Sequence, residues 1–234
     1  MDNSVLQLEK VNKIYGTVVK TQALFDLDLE FERGSFNAII GQSGSGKSTL
    51  LNIIGALDNP TSGKVVIDGI DITKKNQKEL STIRNKTIGF IFQFHYLLPE
   101  FTAYENVLMP YWMNNMNPPK EIIDKANYLM EKMGLKEVKD KPSTNISGGQ
   151  QQRTAIARSL INNPPIILAD EPTGNLDSEN TQTVYDLLRE INKEFETTFI
   201  LVTHDQRVAQ MADRIIELKD GKIKMDVNNY LEGS

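Results

Sequence analysis

Short apolar runs alternate with longer stretches of helical periodicity along most of the chain. Val5–Leu8, Leu27–Phe31, Phe36–Ile40, Val65–Ile67, Ile88–Phe92, Ile166–Ala169, Thr198–Val202 and Ile215–Leu218 read as strands. The runs PIILAD and TTFILVTH are continuously apolar, a pattern of strands buried on both faces. Apolar spacing of three and four predicts helices over Lys47–Leu57, Gln77–Arg84, Lys120–Met133, Gln150–Leu160 and Ser178–Phe195. The alternation predicts an α/β fold, a mainly parallel sheet flanked by helices. From about Phe94 to Leu160 the pattern changes to helical spacing, an Asn117-Pro118-Pro119 turn and methionine-rich apolar positions, with no strand. One domain is therefore expected, with a core from 1–93 and 161–234 and an inserted helical subdomain over about 94–160.

Composition narrows the classes. The chain has 234 residues and a net charge of −5, a balance that argues against a nucleic-acid partner. It has no cysteine, which excludes disulfides and thiolate metal sites. No apolar run approaches the roughly 18 residues that cross a bilayer, and the start, MDNSVLQLEK, is polar. The expectation is a cytoplasmic protein without a secretory leader.

The chemistry begins after the run Phe36–Ile40. GQSGSGKST, Gly41 to Thr49, has glycine, glycine, lysine and serine at the G-x-x-x-x-G-K-[ST] spacing, between a predicted strand and a predicted helix. Glycines let successive N–H groups converge on phosphate oxygens, and the helix N-terminus adds positive potential. Gly41, Ser43, Gly44, Ser45, Gly46, Lys47, Ser48 and Thr49 form the expected loop, with Lys47 on the terminal phosphates and Ser48 on Mg²⁺. A second strand, Ile166–Ala169, ends in Asp170 and Glu171. Two such acids can simply cap the following helix. Beside a phosphate loop, the first suits Mg²⁺ and the second an attacking water.

With these elements in place, ISGGQQQR, Ile146 to Arg153, resembles the signature motif of ABC-type ATPases. The order of the other elements agrees along essentially the whole chain. Gln93, ending TIGFIFQ, resembles the Q-loop glutamine. GNLD, Gly174 to Asp177, resembles the D-loop, although Asp177 also suits a helix N-cap. His204 resembles the switch histidine, and Tyr15 stands where the family often stacks an aromatic on adenine. The stretches FQFHYLLPEFTAYENVLMP, LLNIIGALDNPTSGKVVIDG and LADEPTGNLD resemble the lipoprotein-releasing (LolD-type) and macrolide-exporter (MacB-type) group. Cell-division, antimicrobial-peptide-resistance and solute-importer cassettes remain as alternatives. Non-transport members are less similar, because the interval from Gln93 to Ser147 has neither heptads nor cysteine.

The resemblance implies a nucleotide-binding core with an N-terminal antiparallel β subdomain and an inserted helical subdomain. It implies two copies meeting head to tail around two ATP molecules, with Ser147, Gly148, Gly149, Gln150 and Asp177 reaching the partner's nucleotide. Glu171, His204, Gln93 and Lys47 would be catalytic, and Ser48, Gln93 and Asp170 would hold Mg²⁺. The partner would be a membrane permease contacted through about Phe94–Met113, which places the chain on the inner face of the cell membrane.

Overall fold

A computed structural model describes residues 3–174, 178–204 and 211–229. Two sheets share the chain. The first is antiparallel, with strands in the order β2 (Thr21–Glu32), β1 (Ser4–Tyr15), β4 (Ser62–Ile67) and β5 (Ile70–Asp71). The second has six strands in the order β10 (Lys222–Asn228), β9 (Arg214–Lys219), β3 (Phe36–Ile40), β8 (Thr198–Val202), β7 (Ile166–Asp170) and β6 (Ile88–Phe92). All its neighbours pair in parallel except β10 with β9.

The continuously apolar strands have a simple cause. Successive side chains point to opposite faces, and both faces of the second sheet are covered. Ile167, Ala169, Phe199 and Leu201 enter one core, which they share with the helices of the insertion and of the C-terminal half. Ile166, Leu168, Ile200 and Val202 enter the other, against the first sheet and the helices α1 (Lys47–Ile54) and α2 (Gln77–Thr87). Every C-terminal strand end of β3, β6, β7 and β8 lies on one edge, because Phe92 pairs with Asp170 and Asp170 with Val202. Open parallel sheets gather their ligands at such an edge.

Between β6 and β7 the structure places α3 (Ala103–Trp112), α4 (Lys120–Lys132) and α5 (Gly148–Leu160), with two short 3₁₀ turns and no strand among the described residues. This region has no core of its own. Leu129, Met130 and Ile156 belong to the same cluster as Phe36 and Ala38 of the sheet.

The predicted bounds shift in several places. The helix expected over Lys47–Leu57 stops at Ile54, where Gly55 caps it and Ala56 takes a positive φ of 51°. β1 and β2 each run 12 residues, far beyond Val5–Leu8 and Leu27–Phe31. Bulges between Leu8 and Lys13 break the alternation that marks a strand. β5 and β10 are added strands on sheet edges, the first only two residues long and the second alternating polar with apolar positions. Finally, the start of the insertion, ahead of α3, is a loop. It is pinned by buried Asn106, whose Oδ1 accepts from Leu98 N (2.8 Å) and whose Nδ2 donates to Leu98 O and Thr102 O (3.1 and 2.9 Å).

Candidate nucleotide site

The loop from Gly41 to Gly46 joins β3 to α1. Its glycines are required by space and by backbone. A Cβ on Gly41 would lie 2.3 Å from Leu218 O, and Gly46, the N-cap of α1, sits at φ 105°. No side chain caps that helix end, so its first N–H groups face outward. Lys47 Nζ donates to the carbonyls of Gly41 (2.7 Å) and Gln42 (2.8 Å), curling back over its own loop. Ser45 Oγ is buried with no hydrogen-bond partner. An inward hydroxyl, a bent-back ammonium and a row of helix-start amides make a cradle for an anion rich in acceptors.

Asp170 ends β7 and Glu171 follows it at φ 45°, a left-handed conformation that non-glycine residues seldom take. The Glu171 N–H still bonds Val202 O at 2.9 Å, so the bend turns the side chain without breaking the sheet edge. The Glu171 carboxylate meets His204 Nδ1 at 2.7 Å. His204 follows β8 and is largely exposed, whereas Glu171 is partly sheltered. Burial raises the Asp170 pKa above the ordinary aspartate range, the Glu171 charge adds to this, and Lys47 opposes it. A carboxylate so placed favours a nearby cation.

Gln93 leaves the end of β6, and a Cβ on Gly174 would touch its side chain at 2.7 Å. Gln93 and the Asp170–Gly174 turn therefore adjoin. Ser147 caps α5, its Oγ accepting from Gln150 N (3.3 Å) while Gln150 Oε1 accepts from Ser147 N (2.9 Å). Gly148 is exposed, and a Cβ there would point into open space. Ser147 and Gly148 thus face solvent. Asp177 lies outside the described residues.

A model of the ABC transporter family matches residues 24–174, which runs from β2 through the phosphate loop, the insertion and the acidic pair. The chain belongs to the ABC transporter family. As a member it is an ATP-binding, ATP-hydrolysing cassette. The lipoprotein-releasing system ATP-binding protein LolD 1 of Rhodopseudomonas palustris is 48% identical to the cassette, over 94% of this chain and 98% of the relative. LolD of Bacteroides fragilis is 46% identical, over 94% of this chain and all of the relative. Among solved structures, a dimeric post-hydrolysis state of the ATP-binding cassette MJ0796, bound to ADP and phosphate, superposes with a TM-score of 0.86. That protein is 42% identical, over 96% of this chain and 98% of that one.

Two cations near the site carry no motif. Lys13 is buried and its Nζ donates to Asp58 Oδ1 and Asn59 O, both at 2.7 Å. It also lies 4.9 Å from the centre of the Tyr15 ring, while the Tyr15 hydroxyl donates to Asp58 Oδ2 at 3.3 Å. The ring is thereby fixed at the end of β1. Arg158 sits in the last turn of α5 and reaches the segment after Gln93. The signal in the sequence is a charge inside an otherwise apolar-periodic stretch, IARSL. If Tyr15 supports the base, Tyr15→Ala will raise KM for ATP by about tenfold, the worth of one good stacking contact, with kcat little changed. Steady-state kinetics checks this, and an unchanged KM removes Tyr15 from the site.

Proposed function

We propose that the cassette is the ATP-hydrolysing subunit of a LolD-type lipoprotein-releasing transporter, working as a homodimer on a separate membrane permease. The observation that carries the chemistry is the convergence of Lys47, Asp170, Glu171, Gln93 and His204 on one sheet edge. The relatives' names and the extent of the matches support the lipoprotein-releasing assignment.

Catalysis of phosphoryl transfer is largely positioning and charge stabilisation. The γ-phosphate takes the place of the Gly41 and Gln42 carbonyls on Lys47, and the amides at the start of α1 meet the other phosphate oxygens. Glu171 orients the attacking water and draws its proton, and His204 holds the Glu171 carboxylate in place and reaches the γ-phosphate. Ser48, Asp170 and Gln93 would hold Mg²⁺, which supplies neutralisation of the phosphate charge. The desolvated Asp170 fits that role, since a cation there restores its ionised form. Ser147, Gly148, Gly149 and Gln150 complete the site of the partner copy. ATP thus belongs to both copies and favours their closed arrangement.

Residues 94–160 form the lobe that meets the permease. Of the aromatic and methionine-rich stretch Phe94–Met113, Val107 and Leu108 are core, and Tyr104 and Trp112 pack against it. Phe94, Tyr96, Leu98 and Met113 are exposed. An apolar group of that kind suits a protein partner, here a cytoplasmic segment of the permease. No helix among the described residues is long and apolar enough to cross a membrane, and attachment to the inner face of the membrane runs through that contact. Phe94→Asp with Tyr96→Asp will leave ATP turnover of the detached cassette intact and remove permease-stimulated turnover in proteoliposomes. Full stimulation in that variant overturns the docking assignment.

A further inference from the structure

Just past Gln93 the chain makes a tight, unfavourable bend. Tyr96 takes φ 46°, left-handed backbone that an aromatic residue adopts only under constraint. Its ring meets Phe92 edge-on at 5.5 Å and lies 6.4 Å from Phe94. Phe94 and Tyr96 are nevertheless 61% and 65% exposed. What holds the bend comes from another element. Arg158 Nη1 donates to Tyr96 O and Nη2 to His95 O, both at 2.7 Å. Withdrawal from water pulls the Arg158 pKa down, and burial beside that guanidinium does the same to His95. The fork is thus a pair of charge-assisted bonds, the one to His95 partly buried, and such bonds are stronger than neutral ones.

The other end of the same helix is the signature stretch. From Ser147 to Arg158 is about 16 Å along an α-helix at its standard rise. α5 is therefore one rigid rod, with the partner's nucleotide at its start and the bend after Gln93 gripped near its end.

We propose that Arg158 is a positioning residue, making the Phe94–Tyr96 bend and α5 move as one body, so that a push from the permease reaches Ser147–Gly149. The inference rests on the docking reading above. Arginine is needed because its planar fork spans two successive carbonyls, whereas a lysine ammonium is a point donor on a flexible stem.

The test uses the complete complex of cassette and permease in proteoliposomes, together with the detached cassette. Arg158→Lys and Arg158→Gln will keep the detached cassette's ATP affinity and turnover within about twofold, because neither touches nucleotide. Permease-stimulated turnover will fall by about tenfold or more in both, within the usual range of coupling between sites. Lysine will not rescue, which separates the fork from mere charge. Stimulation that survives in Arg158→Lys overturns the proposal, and so does an equal loss in the detached cassette, which would make Arg158 a structural support. Phe94→Asp with Tyr96→Asp is measured in parallel. If that variant stays coupled, the docking reading fails. If it uncouples and Arg158→Lys does not, the rod alone fails.

Discussion

Glu171→Gln will lower ATP turnover by about 100- to 10,000-fold, the usual worth of a general base, and will hold two cassettes together once ATP is added. Glutamine keeps the length of the side chain and can still bond the His204 ring, so the contact at 2.7 Å is replaced and not abolished. What is lost is the negative charge that draws a proton from water. ATP binding does not depend on it, since Lys47 and the amides at the start of α1 are the groups proposed to meet the phosphates. Removing the Glu171 charge also removes one of the two influences that lift Asp170, so the proposed metal position is eased. Phosphate release measures the first effect, and gel filtration with and without ATP the second. Turnover within a few-fold of the parent would take the base role from Glu171. A monomer with ATP bound would refute the shared site.

A second large effect concerns Gly148. A Cβ there meets nothing within 4 Å and the residue is exposed, so Gly148→Asp will fold as the parent does. A carboxylate in the first turn of α5 even suits the helix dipole. Yet it places a negative charge where a phosphate is proposed to approach. Gly148→Asp will therefore melt at the parent's temperature or above, bind ATP as a monomer and hydrolyse almost none. Lys47→Ala will be inactive for the opposite reason, a damaged loop with an intact signature. Mixing the two inactive proteins will restore turnover. A mixed dimer has one site built from an unaltered Lys47 and an unaltered Gly148, and one site carrying both changes. If each site lay within a single chain, no mixture would regain activity.

Much of this was legible because the chemistry and the backbone demand the same residues. At Gly41–Thr49 the phosphate needs bare amides and the chain needs glycine beside Leu218 O, so spacing and fold coincide. β7 and β8 were legible because both their faces are buried, which leaves an uninterrupted apolar run. α3 was not, because Pro110 lies inside it and aromatic residues blur its period. Its start is nevertheless written in Thr102 and Glu105, which exchange backbone bonds as a capping box at 3.1 and 2.8 Å. β1 and β2 were hidden by bulges that shift the alternation part-way along. The roles of Lys13 and Arg158 were out of reach for another reason. Each is defined by what it touches, the Asp58–Tyr15 pair and the His95–Tyr96 carbonyls. Such pairings join distant parts of the chain and leave no spacing to read.

The cap on α5 sets a direction. Ser147 Oγ already accepts a bond from within its own chain, and the amides behind it have only hydrogens to offer. The outward face of this helix end is richer in donors than in acceptors, since the serine hydroxyl keeps its own hydrogen and a single lone pair. Two such faces have little to exchange, so a pair of cassettes gains little by meeting signature to signature. Each is better satisfied by something made of lone pairs, and the triphosphate proposed on the other copy is a dense supply of them. The proposed head-to-tail order of the dimer thus agrees with the surplus of hydrogens beside a single serine.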